Sequence, residues 1–325
     1  MRKVLFFLFV SVITATTISA QQIAVVSANG TTTTYESFDE ALTDAEDGSV
    51  VYLPGGGFSV KDETKITKKL TILGVSHRAD TDNADGATMI NGNLNFEGGS
   101  DGSALMGVYL SGNVNIGTSE TSVQNILVKY CNINSVYVNN SLCLGIVINQ
   151  NYIRKMSVFG STNAIITHNI LHSIANVKLG IIANNIVCST GYYSYQSNNF
   201  ARVYDTVIEN NVIISPGKIN TANDILYGSN CQISGNMVPN RIWGEDGVQI
   251  NEDWDNVFVN NSGITTISNY HFKDSYKQYE GNYLYGGTGF NDEALAPVPR
   301  IVSKIIPQQT DTSGKLSINV QVKAK

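Results

Sequence analysis

The densest set of reactive side chains lies in IWGEDGVQINEDWDNVF, residues 242–258. It holds Glu245, Asp246, Glu252, Asp253 and Asp255 with Trp243 and Trp254, the only tryptophans in the chain. Carboxylates beside indoles suit sugar recognition, because the ring covers the apolar face of a pyranose. Two such carboxylates flanking a glycosidic bond would make a hydrolase. The same oxygens suit calcium, although the segment does not match the twelve-residue calcium loop. The plainer alternative is a long loop with its tryptophans packed beneath it. A second aromatic concentration is STGYYSYQSNNFAR, residues 189–202, with Tyr192, Tyr193, Tyr195 and Phe200. Tyrosines on a loop can contact a sugar or a protein, or cover an apolar patch. The candidate glycan contacts are therefore Tyr192, Tyr193, Tyr195, Trp243, Glu245, Asp246, Asp253 and Trp254.

Other chemistries find less support. A polysaccharide lyase needs a base beside a neutralised carboxylate, by calcium or a cationic side chain. Lys129, Arg154, Lys155, Lys178, Arg202, Lys218 and Arg241 form no readable column, and Asp205 and Glu209 near Arg202 suit a strand rim equally. His168 sits in THNIL at a position that the aligned segments fill with Gln150, Asn184, Asn210 and Gly235, so it reads as a polar turn residue. His77, His172 and His271 make no metal motif with it. No G-x-S-x-G elbow or phosphate loop is present; LPGGGF lacks the lysine and hydroxyl residue, and its glycines read as a turn. Cys131, Cys143, Cys188 and Cys231 alternate with aliphatic residues and read as small buried hydrophobes. No cofactor is expected, with calcium the one ion the acidic segment suits.

These residues must be carried by something. The chain has 325 residues, enough for one large domain with small additions. Met1-Arg2-Lys3, the apolar run VLFFLFVSVI and ISA ending at Ala20 have the layout of a secretory signal peptide. No second span is expected downstream. The net charge is −6; without Arg2 and Lys3 it becomes 19 basic against 27 acidic residues, or −8. That disfavours nucleic acid or anionic lipid as partner. Ser37 can cap a short helix over Phe38, Ala41 and Leu42, with Glu40 at the capping-box position. From about Thr64 only short apolar runs appear, separated by Gly, Asn, Ser or Asp, with no helix between them. Sandwich, propeller and solenoid remain open on that pattern alone.

A repeat decides between them. The pattern apolar–x–x–Asn–apolar aligns Asn151, Asn169, Asn185, Asn211 and Asn236, at steps of 18, 16, 26 and 25 residues, with Asn132, Asn261 and Asn282 as weaker additions. Ile148, Ile166, Ile182, Ile208 and Ile233 precede each by three; Tyr152, Ile170, Ile186, Val212 and Met237 follow. Both sets are expected to face the interior of a coiled β-solenoid, with the asparagines stacked in a turn about 4.8 Å apart. Asparagine tolerates left-handed backbone there, and its amide can bond to stacked neighbours.

The repeat, the capping segment SFDEALTDAEDGSVVYLPGG and the strand LTILGV together resemble the right-handed parallel β-helix of the pectate-lyase-like superfamily, over roughly residues 32–290. The tail from YLYGGTGF onward resembles that of exported β-helix proteins from Bacteroidetes-type bacteria. The fold expected is all-β: a right-handed parallel β-helix with a short N-terminal capping helix and a C-terminal extended strap and strand. The expected division is a signal at 1–20, the β-helix at 21–290, and at 291–325 a strap and final strand packing on or capping the solenoid. The function expected is an exported, non-catalytic protein, secreted, periplasmic or at the cell surface, that binds polysaccharide or surface glycan. A polysaccharide-degrading enzyme and a structural module or adhesin are the alternatives. The superfamily includes all of these, so its fold does not choose among them.

Overall fold

A computed structural model describes residues 22–78, 86–159, 163–188, 200–214, 226–239, 247–250, 253–261, 269–292, 295–296, 300–305, 307, 309–310 and 313–323. The chain winds into a parallel β-helix. Eleven strands stack into one sheet, and the strands of a fifteen-stranded sheet bend to form two further walls. One coil illustrates the pattern. Val147–Asn149 lies in the first wall, and Tyr152–Val158 crosses the second and third. The next coil pairs in parallel register, Ile148 with Ile166 and Ile153 with Leu171. Strands this short are stable only because every coil pairs with neighbours on both sides.

One residue per strand pair turns inward. Ile148, Ile166, Ile182 and Ile208 line the core from the first wall. From the second wall the inward residues are Ile153, Leu171, Val187 and Ile213. Ile186 and its equivalents behave differently from the expectation. Tyr152, Ile170, Ile186, Val212 and Met237 are buried, but in a separate cluster on the outside of the second wall. Strand alternation requires this, since Val187 already points inward. These outward apolar side chains are covered by later chain, described below.

The inner asparagine ladder is continuous. Asn151, Asn169, Asn185, Asn211 and Asn236 are fully buried. Each Oδ1 accepts the backbone N–H of the residue one coil earlier, at 2.9–3.0 Å from Cys131 through Asn211. Cys131, not Asn132, holds the ladder position of the preceding coil; Asn132 pairs with Tyr152 in the strand. The left-handed backbone falls on the residue before the ladder: Tyr130, Gln150, His168, Asn184, Asn210 and Gly235, with φ between 52° and 60°. The ladder asparagines are therefore selected by their amide bonding rather than by a left-handed backbone.

The N-terminal helix forms as its pattern predicts. Phe38–Asp44 is helical, Ser37 Oγ accepts from Glu40 N at 3.4 Å, and Phe38, Ala41 and Leu42 are buried. Gly56 and Gly57 lie in the strand Gly56–Ser59 rather than in a turn. All four cysteines are free; Cys131, Cys143 and Cys188 are buried and Cys231 is partly so.

Residues 254–261 and 269–290 cover the outward apolar row. Phe258, Tyr270, Phe272 and Leu284 are buried against Ile170, Ile186, Val212 and Met237. Phe290 and His77 each meet the Tyr152 ring edge-on at 5.3 Å. The chain then follows the row of left-handed residues back along the solenoid. Asn184 Nδ2 donates to Asn282 O and Tyr283 O at 3.0 and 2.9 Å, His168 Nε2 meets Gly286 O at 2.9 Å, and Asn291 N donates to Gln150 Oε1 at 3.0 Å. Leu295 bridges Ser76, and Ala296 is buried. The chain thus lies along the solenoid at Asn282, Tyr283, Gly286, Asn291, Leu295 and Ala296. Arg300–Ile305 and Asn319–Lys323 pair antiparallel with each other in a ribbon separate from the two solenoid sheets.

Candidate functional site

The cover stops short of one stretch of the solenoid surface. This is the corner between second and third walls, from Thr88–Asn91 to Tyr152–Val158. Its outward residues form four rows. The first is Met89 and Tyr109, 49% and 37% exposed. Asn91, Ser111, Asn134 and Arg154 follow, all exposed. Next come Asn93, Asn113, Ser135 and Lys155, and then Asn95, Asn115, Tyr137 and Ser157. These strands contain no aspartate or glutamate.

Neighbouring side chains orient one another. Ser111 Oγ donates to Asn91 Oδ1 at 2.7 Å, Asn115 Nδ2 to Asn95 Oδ1 at 2.8 Å, and Asn134 Nδ2 to Asn113 Oδ1 at 3.3 Å. Lys155 lies over the Tyr137 ring, 5.7 Å from its centroid. Arg154 and Lys155 make no salt bridge among the described residues. His172 lies near Arg154; burial first, then the arginine charge, pushes its imidazole below its ordinary range. Gly112 makes the corner possible. It lies at a register shift between Leu110 and Asn113, where an added Cβ would come 2.1 Å from Gly92 O. The arrangement is a fixed, flat field of carboxamides and hydroxyls with two aromatic rings and two cations. Such a field can bind a polyhydroxylated chain; the corner strands themselves carry no carboxylate pair for general acid–base work, and Asp62 beside them accepts from Asn93 Nδ2 at 3.0 Å.

The sequence-predicted contacts fall in three places. Tyr192, Tyr193 and Tyr195, and likewise Trp243, Glu245 and Asp246, lie outside the described residues. The flanks of the tyrosine segment are defined. Val187 pairs with Leu171, and Phe200 with Ile174, so Cys188 and residues 189–199 stand in the chain where the coil before has only His172-Ser173. In the following coil the strands before and after residues 215–225 pair with Ile186–Cys188 and Phe200–Tyr204. Asp253 is exposed and caps a short helix, Trp254–Val257, through Asp255 N at 3.3 Å. Trp254 is only 7% exposed and stacks on Phe258, ring centroids 5.7 Å apart, so its indole packs within the cover. The outer asparagines escaped the sequence reading. Their signal was the alternation in MINGNLNF and YLSGNVNI, in which asparagine recurs every second residue around the glycine.

Two histidines occupy structural positions. His168 has its Nε2 on Gly286 O, and Asn149 Nδ2 approaches its Nδ1 at 3.4 Å. Desolvation outweighs the Gly286 bond and pushes its imidazole below the ordinary range, which suits a neutral ring donating from Nε2. A shallow recess of about 280 Å³ beside it is lined by His168, Asn184, Asn210, Gly281, Asn282, Gly286 and Gly287. His271 lies inside the cover. Its Nδ1 meets Glu280 Oε1, its Nε2 meets Asp292 Oδ2 at 2.8 Å, and its ring stacks on Tyr285 at 3.9 Å. Tyr285 Oη donates to Asp292 Oδ1 at 3.0 Å. Burial pushes Glu280 up, but bonds from His271 and Phe272 N outweigh it and hold the carboxyl below its usual range. Burial, then Asp292, pushes the Tyr285 phenol far up. Both His271 nitrogens are occupied, so the group ties the cover together and has no free nitrogen for proton transfer. Among the described residues no group of three His, Cys, Asp or Glu could hold a metal ion.

No protein family, curated protein or solved structure compared with this chain matches it. Its class therefore rests on its own geometry: a parallel β-helix with an inner asparagine ladder, an outer apolar row covered by its own chain, and an open asparagine-rich corner. No described helix is long and apolar enough to cross a membrane.

Proposed function

We propose that the protein is a non-catalytic glycan-binding β-helix, exported behind a signal at residues 1–20, with its solenoid spanning 21–290 and its strap and final strand 291–325. The membership in the pectate-lyase-like superfamily belongs to this proposal. The observation that carries it is the open corner, where Ser111 and Asn91, Asn115 and Asn95, and Asn134 and Asn113 hold one another in orientation between the rows of Tyr109 and Tyr137. Rigid amides lose little freedom on binding, and aromatic edges cover the apolar faces of sugar rings. Tyr192, Tyr193 and Tyr195 remain proposed contacts, supported by the flanking strands of residues 189–199, which pair with those on either side of His172-Ser173. Trp243, Glu245 and Asp246 likewise remain proposed contacts; Asp253 is the exposed one of its pair. The absence of carboxylates from the corner strands favours binding over hydrolysis there.

The test is a polysaccharide panel measured by calorimetry and by product release, with and without calcium. Binding without release is expected. Asn113→Ala with Asn134→Ala should weaken it on the order of tenfold or more, at about 1.4 kcal/mol per decade. Release of oligosaccharide from the pure protein would establish the enzyme reading instead. Failure to bind any glycan of the panel would reject the proposal across it.

A further inference from the structure

The charge of this chain is divided unevenly. Residues 297–325 contain five basic residues and one acidic one, net +4, whereas residues 21–296 contain 14 basic and 26 acidic, net −12. The basic part contains the ribbon Arg300–Ile305/Asn319–Lys323. Asn319–Lys323 is exposed along its whole length, with Val320 at 46% and Val322 at 59%, and Ile318 before it at 57%. Two strands alone are marginal in water. Both keep an outer edge that pairs with no other strand among the described residues.

The N-terminal cap presents the complement, and the strap ends towards it, with Leu295 bridged to Ser76 and Ala296 packed with Leu73 and Val50. Thr32–Tyr35 is the edge strand of the eleven-stranded sheet, and three of its four residues are exposed. Residues 36–47 contain Glu36, Asp39, Glu40, Asp44, Glu46 and Asp47 and no base. Asp39 is engaged by Lys61 N and Thr64, Asp47 by Lys69 N, and Lys68 donates to Thr43 O and Ala45 O beside them. Glu36, Glu40, Asp44 and Glu46 are exposed and in no salt bridge among the described residues. Asp44 and Glu46 stand at the C-terminal end of the helix, where the backbone dipole disfavours negative charge.

We infer that the C-terminal ribbon of one copy docks on the N-terminal cap of a second copy, strand to edge strand, with lysines over the acidic helix end. Strand addition supplies backbone bonds, and Val320 and Val322 supply apolar area. Because the strap ends towards the cap, at Leu295–Ala296, two copies can exchange ribbons reciprocally and close a dimer. The inference is independent of glycan binding.

The experiment is mass measurement by sedimentation across a concentration series, at about 0.05 M and about 1 M salt, where the screening length falls to about 3 Å. Mass above the monomer is expected to grow with concentration at low salt and to fall at high salt. Lys315→Glu with Lys323→Glu should abolish it, as should Asp44→Lys with Glu46→Lys, which relieves the helix dipole and leaves the cap folded by circular dichroism. A one-to-one mixture of the two double variants leaves one basic ribbon-to-cap pairing reversed in sign at both partners, and should restore heterodimers. A monomer at every concentration overturns the inference. So does assembly indifferent to all four substitutions. Binding of wild-type protein, but not of the ribbon variant, to phosphatidylglycerol vesicles without self-association would assign the ribbon to a membrane instead.

Discussion

Replacing Asn185 by alanine should cost about 3–5 kcal/mol of stability, and the structure shows where the loss arises. The Asn185 amide donates to Ile166 O, Ala183 O and Asn211 Oδ1, each at 2.9 Å. Its Oδ1 accepts Asn169 N at 2.9 Å and Asn169 Nδ2 at 3.0 Å. Some partners keep a second bond after truncation. Ala183 O still accepts His168 N, Asn211 Oδ1 still accepts Asn185 N, and Asn169 Nδ2 still reaches Ile148 O and Thr167 O. Asn169 N is the costly loss, because a buried N–H left without an acceptor costs about 1–3 kcal/mol. The weakened remaining bonds and the small void add roughly 2 kcal/mol more. Asn185→Asp should be no better, since its second oxygen would face three acceptors. Asn134→Ala is the control: that residue is exposed on the outer corner, and its loss should change stability by about 0.5 kcal/mol or less. Urea midpoints at unchanged m-value measure both. An Asn185→Ala protein within about 1 kcal/mol of wild type would refute the ladder account. So would one of normal stability that had lost ligand binding.

Trp254→Ala should lower the unfolding midpoint by about 3 kcal/mol or more, the usual cost of emptying a buried aromatic site, and leave glycan affinity unchanged; lost affinity at unchanged stability would place the indole on the ligand. Burial pushes the Cys131 and Cys188 thiols from 9.0 to about 12. The folded state thus keeps protons that the unfolded chain releases, so stability is full below pH 9 and declines between about pH 9 and 12; substitution of both by alanine should flatten that decline in a pH series of urea midpoints. Glu280 is held below its ordinary 4.5, so its contribution is present above pH 4.5 and lost as pH falls through the folded value. Glu280→Gln should therefore weaken the cover at neutral pH and make it less sensitive to acid, read as dye binding to the exposed apolar row; equal acid sensitivity in both proteins would refute that role.

The scaffold was legible because its signal repeats. Intervals of 18, 16, 26 and 25 residues between buried asparagines reappear as bonds between successive coils. Composition could not tell which of two flanking apolar residues faced the core. Val187 and Ile186 are both aliphatic, and only the later cover, Phe258 to Phe290, allows the outward one to be buried. His168 was legible as a turn residue, but its partner Gly286 lies 118 residues away and no local pattern announces it. The open corner was hidden for the opposite reason. Its asparagines occur in the same strands as core residues, and the left-handed turns are equally rich in asparagine, so residue type alone does not separate the ladder, the turns and the surface.

The position of the insertions follows from the energetics of the coil. Between the second and third walls the chain spends two residues at His172-Ser173 and eleven at both 189–199 and 215–225. The strands on either side stay in register regardless, Leu171 with Val187 and Ile213, Ile174 with Phe200 and Leu226. Lengthening a loop from two to eleven residues costs about 1.5 kcal/mol in closure entropy. A solenoid bears that cost locally, because each coil is held by its neighbours and not by the length of its own turns. The first corner tolerates no such change. There the ladder asparagine and the left-handed residue before it are fixed one apart in every coil from Gln150-Asn151 to Gly235-Asn236, and one inserted residue would break two buried bonds. The connection from the third wall to the first also varies, from ten residues at 117–126 to five at 176–180, but the eleven-residue insertions fall at the corner that carries the open carboxamide rows on earlier coils, where recognition can change without unfolding the scaffold.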